Sequence, residues 1–251
     1  MRPAFAFDFE WRITLFTVLL LPLLISLGFW QLQRAEEKAA LAVAFEQKQQ
    51  RPPALLPGLG ELGPEALAYL PVKLQGRYLQ GRDFLLDNRM QGRKYGNEVL
   101  TVFELEDGQF ALVNRGWIIA DPGRMTLPAI PAAPEKAELT GTVYVQPGTP
   151  YLLQEQQLGG ENWPKQIQAV DMVKMSAALG VPTDRLFPYP VRIDAGQPGA
   201  LSVEWQVINV SPAKHRGYSV QWFSMAAALA LIYVLRSTNL WRVIRGASNN
   251  E

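Results

Sequence analysis

Two long apolar stretches, one near each end, do most to constrain how this 251-residue chain can fold. Residues 13–32 (ITLFTVLLLPLLISLGFWQL) and approximately 217–235 (GYSVQWFSMAAALALIYVL) each supply the ~20 residues that a helix needs to cross ~30 Å of hydrocarbon. Both stretches therefore predict membrane spans. Two spans would place both termini on one side of a bilayer and the long middle segment on the other.

The predicted organisation follows from these spans. It comprises a tail (1–12), a first span (13–32), a helical extension (33–51), a central domain (52–211), a second span (212–235) and a C-terminal tail (236–251). The extension is predicted because residues 34–50 are good helix formers throughout and stop before a pair of prolines. The six segments thus describe one large domain tethered at both ends.

The first span could instead be a cleaved signal peptide. A signal peptide has an apolar core of ~7 to 15 residues followed by a small-x-small cleavage site. This run is longer and ends in Phe29-Trp30-Gln31-Leu32, where a peptidase requires small side chains. Trp11 and Trp30 also lie near its two ends, where aromatic rings favour the headgroup layer. We expect it to be retained as an anchor.

Basic residues near the spans suggest their orientation, since Lys and Arg mark the cytoplasmic side. The C-terminal tail carries Arg236, Arg242 and Arg245. Basic residues also flank the opposite ends of the spans, namely Arg34, Lys38, Lys214 and Arg216. We expect both termini to be cytoplasmic and the central domain to lie across the membrane.

Composition excludes several functions. A formal net charge of +1, with scattered basic residues, provides no electrostatic basis for binding nucleic acid. The chain has no cysteine, which excludes disulfides, thiol redox chemistry, thiolate metal sites and covalent haem attachment through Cys-x-x-Cys-His. A single histidine excludes metal sites built from several histidines.

The central domain is predicted to be mainly β. Short runs rich in Val, Leu, Tyr and Phe occur at residues 72–79, 84–88, 98–105, 109–119 and 139–146, and strand is expected again at 186–194 and 203–209. Asp107-Gly108 favours a tight hairpin between the third and fourth runs. We therefore expect an antiparallel barrel or sandwich-like domain. Residues 166–179 predict its one short helix, and the proline-rich residues 120–134 predict a loop.

The single histidine, His215, lies at the start of the second span. Ser211 and Pro212 form a typical helix start, which puts His215 in the first turn. The helix dipole and the adjacent Lys214 and Arg216 disfavour a further positive charge. We therefore expect a neutral imidazole, the form that binds iron.

Tyr218 and Trp222 follow His215 at helical spacing and share its face. A porphyrin ring could pack there, with its carboxylates against Lys214 or Arg216. The pattern alone is more typical of an interfacial histidine lying among headgroups and aromatic anchors. The two interpretations stay open at this point.

Several short motifs resemble those of the Surfeit locus 1 (Shy) family of cytochrome c oxidase assembly proteins. They are LGFWQLQR (27–34), Gly76-Arg77-Tyr78, NRGWI (114–118) and HRGYSVQWF (215–223), and they cover nearly the whole chain in order. The resemblance implies a multi-pass protein of the bacterial inner membrane with a periplasmic domain. It further implies a chaperone that helps to deliver or stabilise haem a during maturation of oxidase subunit I.

The resemblance also assigns candidate residues. His215 would be the haem iron ligand, and the rest of the haem a surface would comprise Lys214, Arg216, Tyr218, Gln221 and Trp222. Ser219 stands where the family pattern leads us to expect Ala. Matching residues with a partner-binding or structural role are Gly28, Trp30, Gln31, Arg34, Gly76, Tyr78, Asn114, Arg115, Gly116 and Trp117. The expected partners are subunit I, haem a synthase and the lipid bilayer.

Structural roles are the alternative for most of these matching residues. Gly28 and Trp30 could set helix packing and depth, while Gln31 and Arg34 could cap the exit of the span. Gly116 could permit a β-bulge, with Trp117 filling the core. Gly76 could avoid a clash with a close backbone neighbour. The basic run 89–94 is expected to be a solvated loop, with an acidic partner or lipid as the alternative.

We expect an assembly factor without catalytic turnover. The alternative is a membrane-tethered scaffold that binds a respiratory or other membrane complex without contacting haem. A copper carrier is disfavoured because its soft ligands would have to come from scattered Met residues and one His. A hydrolase would need a pair of acidic residues that no spacing supports.

Overall fold

The computed structural model describes residues 9–146, 148, 156–205 and 211–239. It divides into two compact units. The helical unit comprises Met1–Ala44 and Val207–Glu251, and the sheet unit comprises Phe45–Gln206. The predicted basic residues Arg242 and Arg245 lie outside the described residues, as do residues 206–209 of the last predicted strand.

Helices and strands alternate irregularly along the described residues. The α-helices are α1 (Trp11–Gln49), α2 (Pro64–Leu67), α3 (Met172–Leu179) and α4 (Pro212–Ser237). The strands are β1 (Ala54–Leu55), β2 (Pro71–Gln91), β3 (Lys94–Leu105), β4 (Phe110–Ile119), β5 (Lys136–Val143), β6 (Lys165–Ile167) and β7 (Val191–Ile193). Short 3₁₀ turns occur at Leu59–Glu61 and Thr183–Arg185.

Helices α1 and α4 are both long and apolar enough to cross a membrane. Only 17% of the apolar window of α1 and 11% of that of α4 is buried, unlike the core helix of a soluble protein. The helix continues from the predicted first span to Gln49, as its helix-forming composition predicted. Two exposed apolar helices, one near each end of the chain, indicate a membrane protein.

The sheet unit is built on a mixed sheet, with strand order β1-β2-β3-β4-β7-β5. β5 also pairs with β2, and β6 pairs with β2 off the main path. Three pairings are parallel, namely β1–β2, β2–β6 and β4–β7. The prediction of a purely antiparallel sheet is therefore wrong. The cause is that β1, β6 and β7 are very short strands, which join the sheet through irregular connections and not through tight hairpins.

The hairpin strands are closest to prediction. Asp107-Gly108 does join two antiparallel strands, β3 and β4, and Gly108 has the positive φ of 81° that favours glycine. In contrast, predicted strands 72–79 and 84–88 form one strand, β2, with irregular register between Tyr78 and Asp83. The basic run 89–94 is not a loop, because strand pairing extends to Gln91 and resumes at Lys94.

Two apolar clusters fill the sheet unit. One includes Val72, Leu74, Tyr78, Phe103 and Val191, and the other includes Phe84, Leu100, Leu112, Ile167 and Met175. The predicted helix 166–179 begins only at Met172, because its first residues form β6 and bury Ile167 against β2. The unit also contains α2, which was not predicted. Because β6 pairs with β2 and buries Ile167, periodicity alone placed the start of this helix too early.

Three further predictions concern the connections. Residues 121–134 contain no helix or strand, as their prolines predicted. The strand predicted at 186–194 is restricted to Val191–Ile193. Residues 203–205 form no strand. Near these residues the chain is held by side-chain contacts and by isolated backbone hydrogen bonds. A strand pattern in the sequence reveals neither.

Candidate functional site

The two helices of the helical unit meet along a seam of regularly spaced residues. The buried residues of α1 are Thr17, Leu24, Gly28, Gln31 and Ala35, and those of α4 are Ser219, Ala226 and Ser237. Most of the spacings between neighbouring positions are three, four or seven, which are those of a heptad seam. Most of these side chains are small, and small side chains let membrane helices approach closely.

Gly28 leaves space along this seam for a side chain of α4. A Cβ atom at Gly28 would lie only 2.6 Å from Cε1 of Phe223. The Phe223 ring also contacts Phe29, edge to face, at 5.2 Å between centroids. Nearer the other end of the helices, the hydroxyls of Thr14 and Tyr233 lie 3.1 Å apart. Glycine therefore makes room for an aromatic side chain beside the first helix.

His215 lies at the end of the seam where α4 begins, and it contacts Gln31 of α1. Ser211 caps α4 by accepting from the backbone N–H of Lys214, so the helix begins where the sequence predicted and His215 falls in its first turn. Nδ1 of His215 lies 2.7 Å from Oε1 of Gln31. His215 is half-buried, and Nε2 makes no hydrogen bond to any residue that the structure describes.

The other residues assigned to the haem surface surround His215 along α4. Tyr218 is 48% exposed and Trp222 is half-buried. Lys214, Arg216 and Gln221 are exposed. The helix thus presents one imidazole, two aromatic rings and two cations within two to three turns.

Other residues of the first-span motif have different surroundings. Arg34 pairs with Glu37 at 2.8 Å and stacks over Trp30, with 5.8 Å from its guanidinium carbon to the ring centroid. α1 continues past Gln31 and Arg34 to Gln49, so neither residue lies at a helix end, and Gln31 turns to His215. The structure therefore brings together Gln31 and His215, which the sequence interpretation did not pair.

Arg115 is enclosed in the sheet unit. It is 2% exposed. Its Nε donates to the carbonyl oxygen of Gly199 (2.7 Å) and its Nη2 to that of Pro131 (2.8 Å). Its Nη1 lies 3.5 Å from the hydroxyl of Thr101. These bonds tie two loops to the sheet, so Arg115 has a structural environment and offers no surface to a partner.

The neighbours of Arg115 share this closed environment. Asn114 donates to Glu98 (2.6 Å) and accepts from the N–H of Gly116. Gly116 has φ of 111°, and β4 carries one extra residue there relative to β3, which confirms the predicted bulge. Trp117 does not fill the core. It is half-buried and donates from Nε1 to the carbonyl oxygen of Arg89 at 3.0 Å.

Gly76 and Tyr78 are also structural in their contacts. A Cβ at Gly76 would collide with the carbonyl oxygen of Glu104, which confirms the predicted close backbone neighbour. Tyr78 packs against Phe103, with centroids 5.0 Å apart, and donates to the carbonyl oxygen of Pro198 at 3.0 Å. Gly76 lets β2 pair closely with β3, and Tyr78 joins β2 to the loop that contains Pro198.

Burial dominates the electrostatics around Arg115. It raises the pKa of Tyr78 to about 12. It also raises the pKa of Asp83, although the hydrogen bond from Thr101 and the charge of Arg115 act in the opposite direction. Burial lowers the pKa of Arg115, which Asp83 partly offsets. The three groups are therefore buried and electrostatically coupled to one another.

The sequence interpretation missed the seam role of two residues of α4. The sequence interpretation used Phe223 only as part of a motif and Ser219 only as a small substitution. In the structure, Ser219 is buried at the seam and Phe223 fills the space beside Gly28. The sequence does contain a signal for these seam positions. The spacing of positions 14, 17, 24, 28, 31 and 35 on one span, and of 215, 219, 226 and 233 on the other, follows heptads.

The donor set at His215 suits a haem iron. Neutral imidazole is a common axial ligand of haem, and here Nε2 has no protein partner among the described residues. Tyr218 and Trp222 offer aromatic surface, while Lys214 and Arg216 offer positive charge for carboxylates. These residues fit the group that the motif resemblance implied.

Comparisons with known proteins agree with the motifs. The family model for the SURF1 family matches residues 18–227. A SURF1-like protein of Rickettsia conorii is 27% identical over 220 residues, covering 85% of this chain and 86% of the relative. That of Rickettsia bellii is 26% identical over 215 residues, covering 84% and 85%.

A further relative matches to a similar degree. A SURF1-like protein of Monosiga brevicollis is 26% identical over 234 residues, covering 83% of this chain and 81% of the relative. The matched region contains the whole sheet unit and part of each apolar helix. The chain therefore belongs to the SURF1 family, which is linked to the assembly of cytochrome c oxidase.

Proposed function

We propose that this protein is an assembly factor of a haem–copper cytochrome c oxidase, which holds haem a during its transfer into subunit I. The observation that carries the haem part is the state of His215. It is the single histidine of the chain, it is half-buried in the first turn of α4, and its Nε2 has no hydrogen-bond partner within the part of the chain that the structure describes. It acts as a chaperone, without catalytic turnover.

The proposed location is the bacterial inner membrane, with both termini in the cytoplasm and the sheet unit in the periplasm. The two apolar helices support the membrane part. Arg236, which follows the apolar part of α4, supports the cytoplasmic side for the C-terminus. The haem residues would then lie at the periplasmic face of the bilayer.

Each residue near His215 has a role in this proposal. His215 would bind the iron through Nε2, and Tyr218 and Trp222 would pack against the macrocycle. Lys214 and Arg216 would pair with its carboxylates, and Gln221 would complete the exposed surface. When bound, haem a supplies the iron centre that the oxidase later uses, while the protein only binds, orients and releases it.

The proposed partners follow from this role. Subunit I would receive haem a, and haem a synthase would supply it. The exposure of Tyr218, Gln221 and Arg216 supports such a transfer, because a partner must reach a ligand that is to be handed over. Lipid surrounds the exposed apolar residues of both spans.

Haem a binding by the purified full-length chain tests the proposal. We expect His215→Ala to lose most of the bound haem a per protein, measured from the pyridine haemochrome spectrum after co-production with a haem a source. The control is Gln33→Ala, which changes an exposed residue of the same helical unit. Unchanged haem content in His215→Ala would remove haem from the proposal and favour the tethered scaffold.

A further inference from the structure

We infer that Gln31 is a positioning residue, which holds His215 as the Nδ1–H tautomer and so leaves the Nε2 lone pair available to a metal. The tautomer part stands on the geometry of the helical unit alone. The consequence for iron rests on the proposed function. Neither depends on any contact with the sheet unit.

The first step is the direction of the hydrogen bond. Oε1 of Gln31 lies 2.7 Å from Nδ1 of His215. An amide oxygen can only accept a hydrogen bond, so the hydrogen must be on Nδ1. Neutral imidazole carries one N–H, so its other nitrogen keeps a lone pair. Gln31 therefore selects Nε2 as the open donor atom.

The second step is the rigidity of Gln31. It is 9% exposed and occupies a seam position three residues after Gly28 and four before Ala35, both of which are also buried. A buried amide has few rotamers available and no water to replace its partner. By contrast, Gln33, two residues further on, is exposed. The seam thus fixes the amide that faces the ring.

The third step is the consequence for a bound metal. Histidines that bind metals almost always donate their second N–H to a carbonyl or carboxylate, which fixes the ring orientation and raises the basicity of the ligand nitrogen. Loss of such a partner typically lowers metal affinity by about 10- to 100-fold. Gln31 supplies this carbonyl oxygen from the neighbouring helix.

The tautomer can be measured without haem. Because the chain has one histidine, labelling with ¹⁵N-histidine gives one pair of imidazole resonances. We expect the full-length protein in nanodiscs, at a pH where the ring is neutral, to show protonated Nδ1 and unprotonated Nε2. Gln31→Leu should shift the ring towards the Nε2–H form that free histidine prefers, whereas Gln33→Leu should leave the spectrum unchanged.

A conservative variant guards against a folding artefact. Gln31→Glu keeps an acceptor oxygen and should keep Nδ1 protonated, and circular dichroism should show the same helix content in all variants. An unchanged tautomer in Gln31→Leu, with helix content retained, would overturn the inference. So would a mixture of tautomers in the wild-type protein.

Haem titration separates this inference from the proposed function. We expect Gln31→Leu to weaken haem a binding by about 10- to 100-fold and to alter the Soret band, with Gln31→Glu and Gln33→Leu close to wild type. If His215→Ala abolishes binding while Gln31→Leu changes neither tautomer nor affinity, the positioning role is wrong. If Gln31→Leu shifts the tautomer while His215→Ala binds haem normally, the tautomer part stands and the proposed haem function fails.

Discussion

Arg115 and His215 are both family-motif residues, but they differ in what their polar atoms contact. Arg115 is enclosed in the sheet unit, and its guanidinium donates to two loop carbonyls and faces a hydroxyl. His215 is half-buried in the helical unit, and among the described residues only Nδ1 of its ring has a hydrogen-bond partner. A polar group whose atoms are all occupied stabilises a fold, whereas one with an open lone pair can bind a ligand.

Gly76 of the sheet unit and Gly28 of the helical unit show the same contrast. Gly76 faces the backbone of Glu104 in the sheet unit, whereas Gly28 faces the side chain of Phe223 in the helical unit. Backbone in a sheet cannot move without breaking its ladder, but an aromatic ring can rotate. The sheet unit is therefore expected to tolerate change poorly, and the helical unit to adapt.

The largest effect is expected from Arg115→Met. Removing one partner of a buried charged network costs about 3 to 5 kcal/mol, and here Asp83 would lose its cation and two loops their anchor. Urea unfolding of the full-length protein in nanodiscs, followed by tryptophan fluorescence, measures this loss. The matched control is Arg77→Met, which removes an exposed pair with Glu104 that we expect to contribute at most about 1 kcal/mol. Equal losses in the two variants would break the comparison.

The stability of the protein at alkaline pH should depend on the burial of the Tyr78 hydroxyl. Burial raises its pKa to about 12 in the folded protein, against about 10 when unfolded. Between these values the unfolded state has released a proton that the folded state retains, so stability is present at lower pH and falls as pH rises.

Tyr78→Phe removes this pH dependence. From about pH 9 to 11.5 we expect the wild type to lose about 2 kcal/mol more than the variant. At neutral pH the variant should be the less stable protein by about 1 kcal/mol, because it lacks the hydrogen bond to Pro198. The same urea experiment at matched pH values measures both differences. Parallel pH profiles would show that the hydroxyl is not enclosed.

Gly76→Ala should destabilise the sheet unit by about 1 to 3 kcal/mol or more, because a Cβ there has no room beside the Glu104 carbonyl. Gly63→Ala is the control, since a Cβ at Gly63 would meet nothing within 4 Å and its φ is −66°. The urea midpoint is the readout. A Gly76→Ala variant as stable as Gly63→Ala would contradict the crowded strand pairing.

Gly28→Ala should have the smallest effect, about 1 kcal/mol or less, because the Phe223 ring can move away. The double variant with Phe223→Leu should recover most of that loss, as expected for residues in contact. Steric trapping of α1 against α4 in nanodiscs measures the free energy of association. A loss larger than that of Gly76→Ala, or the absence of rescue, would reverse the comparison.

The sequence predicted local features better than pairings. The start of α4 at Ser211-Pro212 and the hairpin at Asp107-Gly108 each depend on a few neighbouring residues, and the structure confirms them. The mixed sheet was missed because β1, β6 and β7 contain two or three residues each. Strands that short have no periodicity to detect.

The candidate site shows the same limit. The position of His215 in the first turn of α4 followed from local capping chemistry. Its bond to Gln31 joins residues 184 positions apart, and only an antiparallel alignment of the two heptad seams would have predicted it. The predicted strand 109–119 contains Arg115, which lies within β4, but the burial of Arg115 depends on carbonyls of two distant loops.

The most direct test of the proposed function is the reduced-minus-oxidised haem a spectrum of membranes from a strain that lacks this gene. The signal should be normalised to the amount of oxidase subunit I, in a background without a second copy. We expect a loss of haem a per subunit I that the wild-type gene restores and His215→Ala does not. An unchanged spectrum in the deletion strain would contradict a role in haem a insertion.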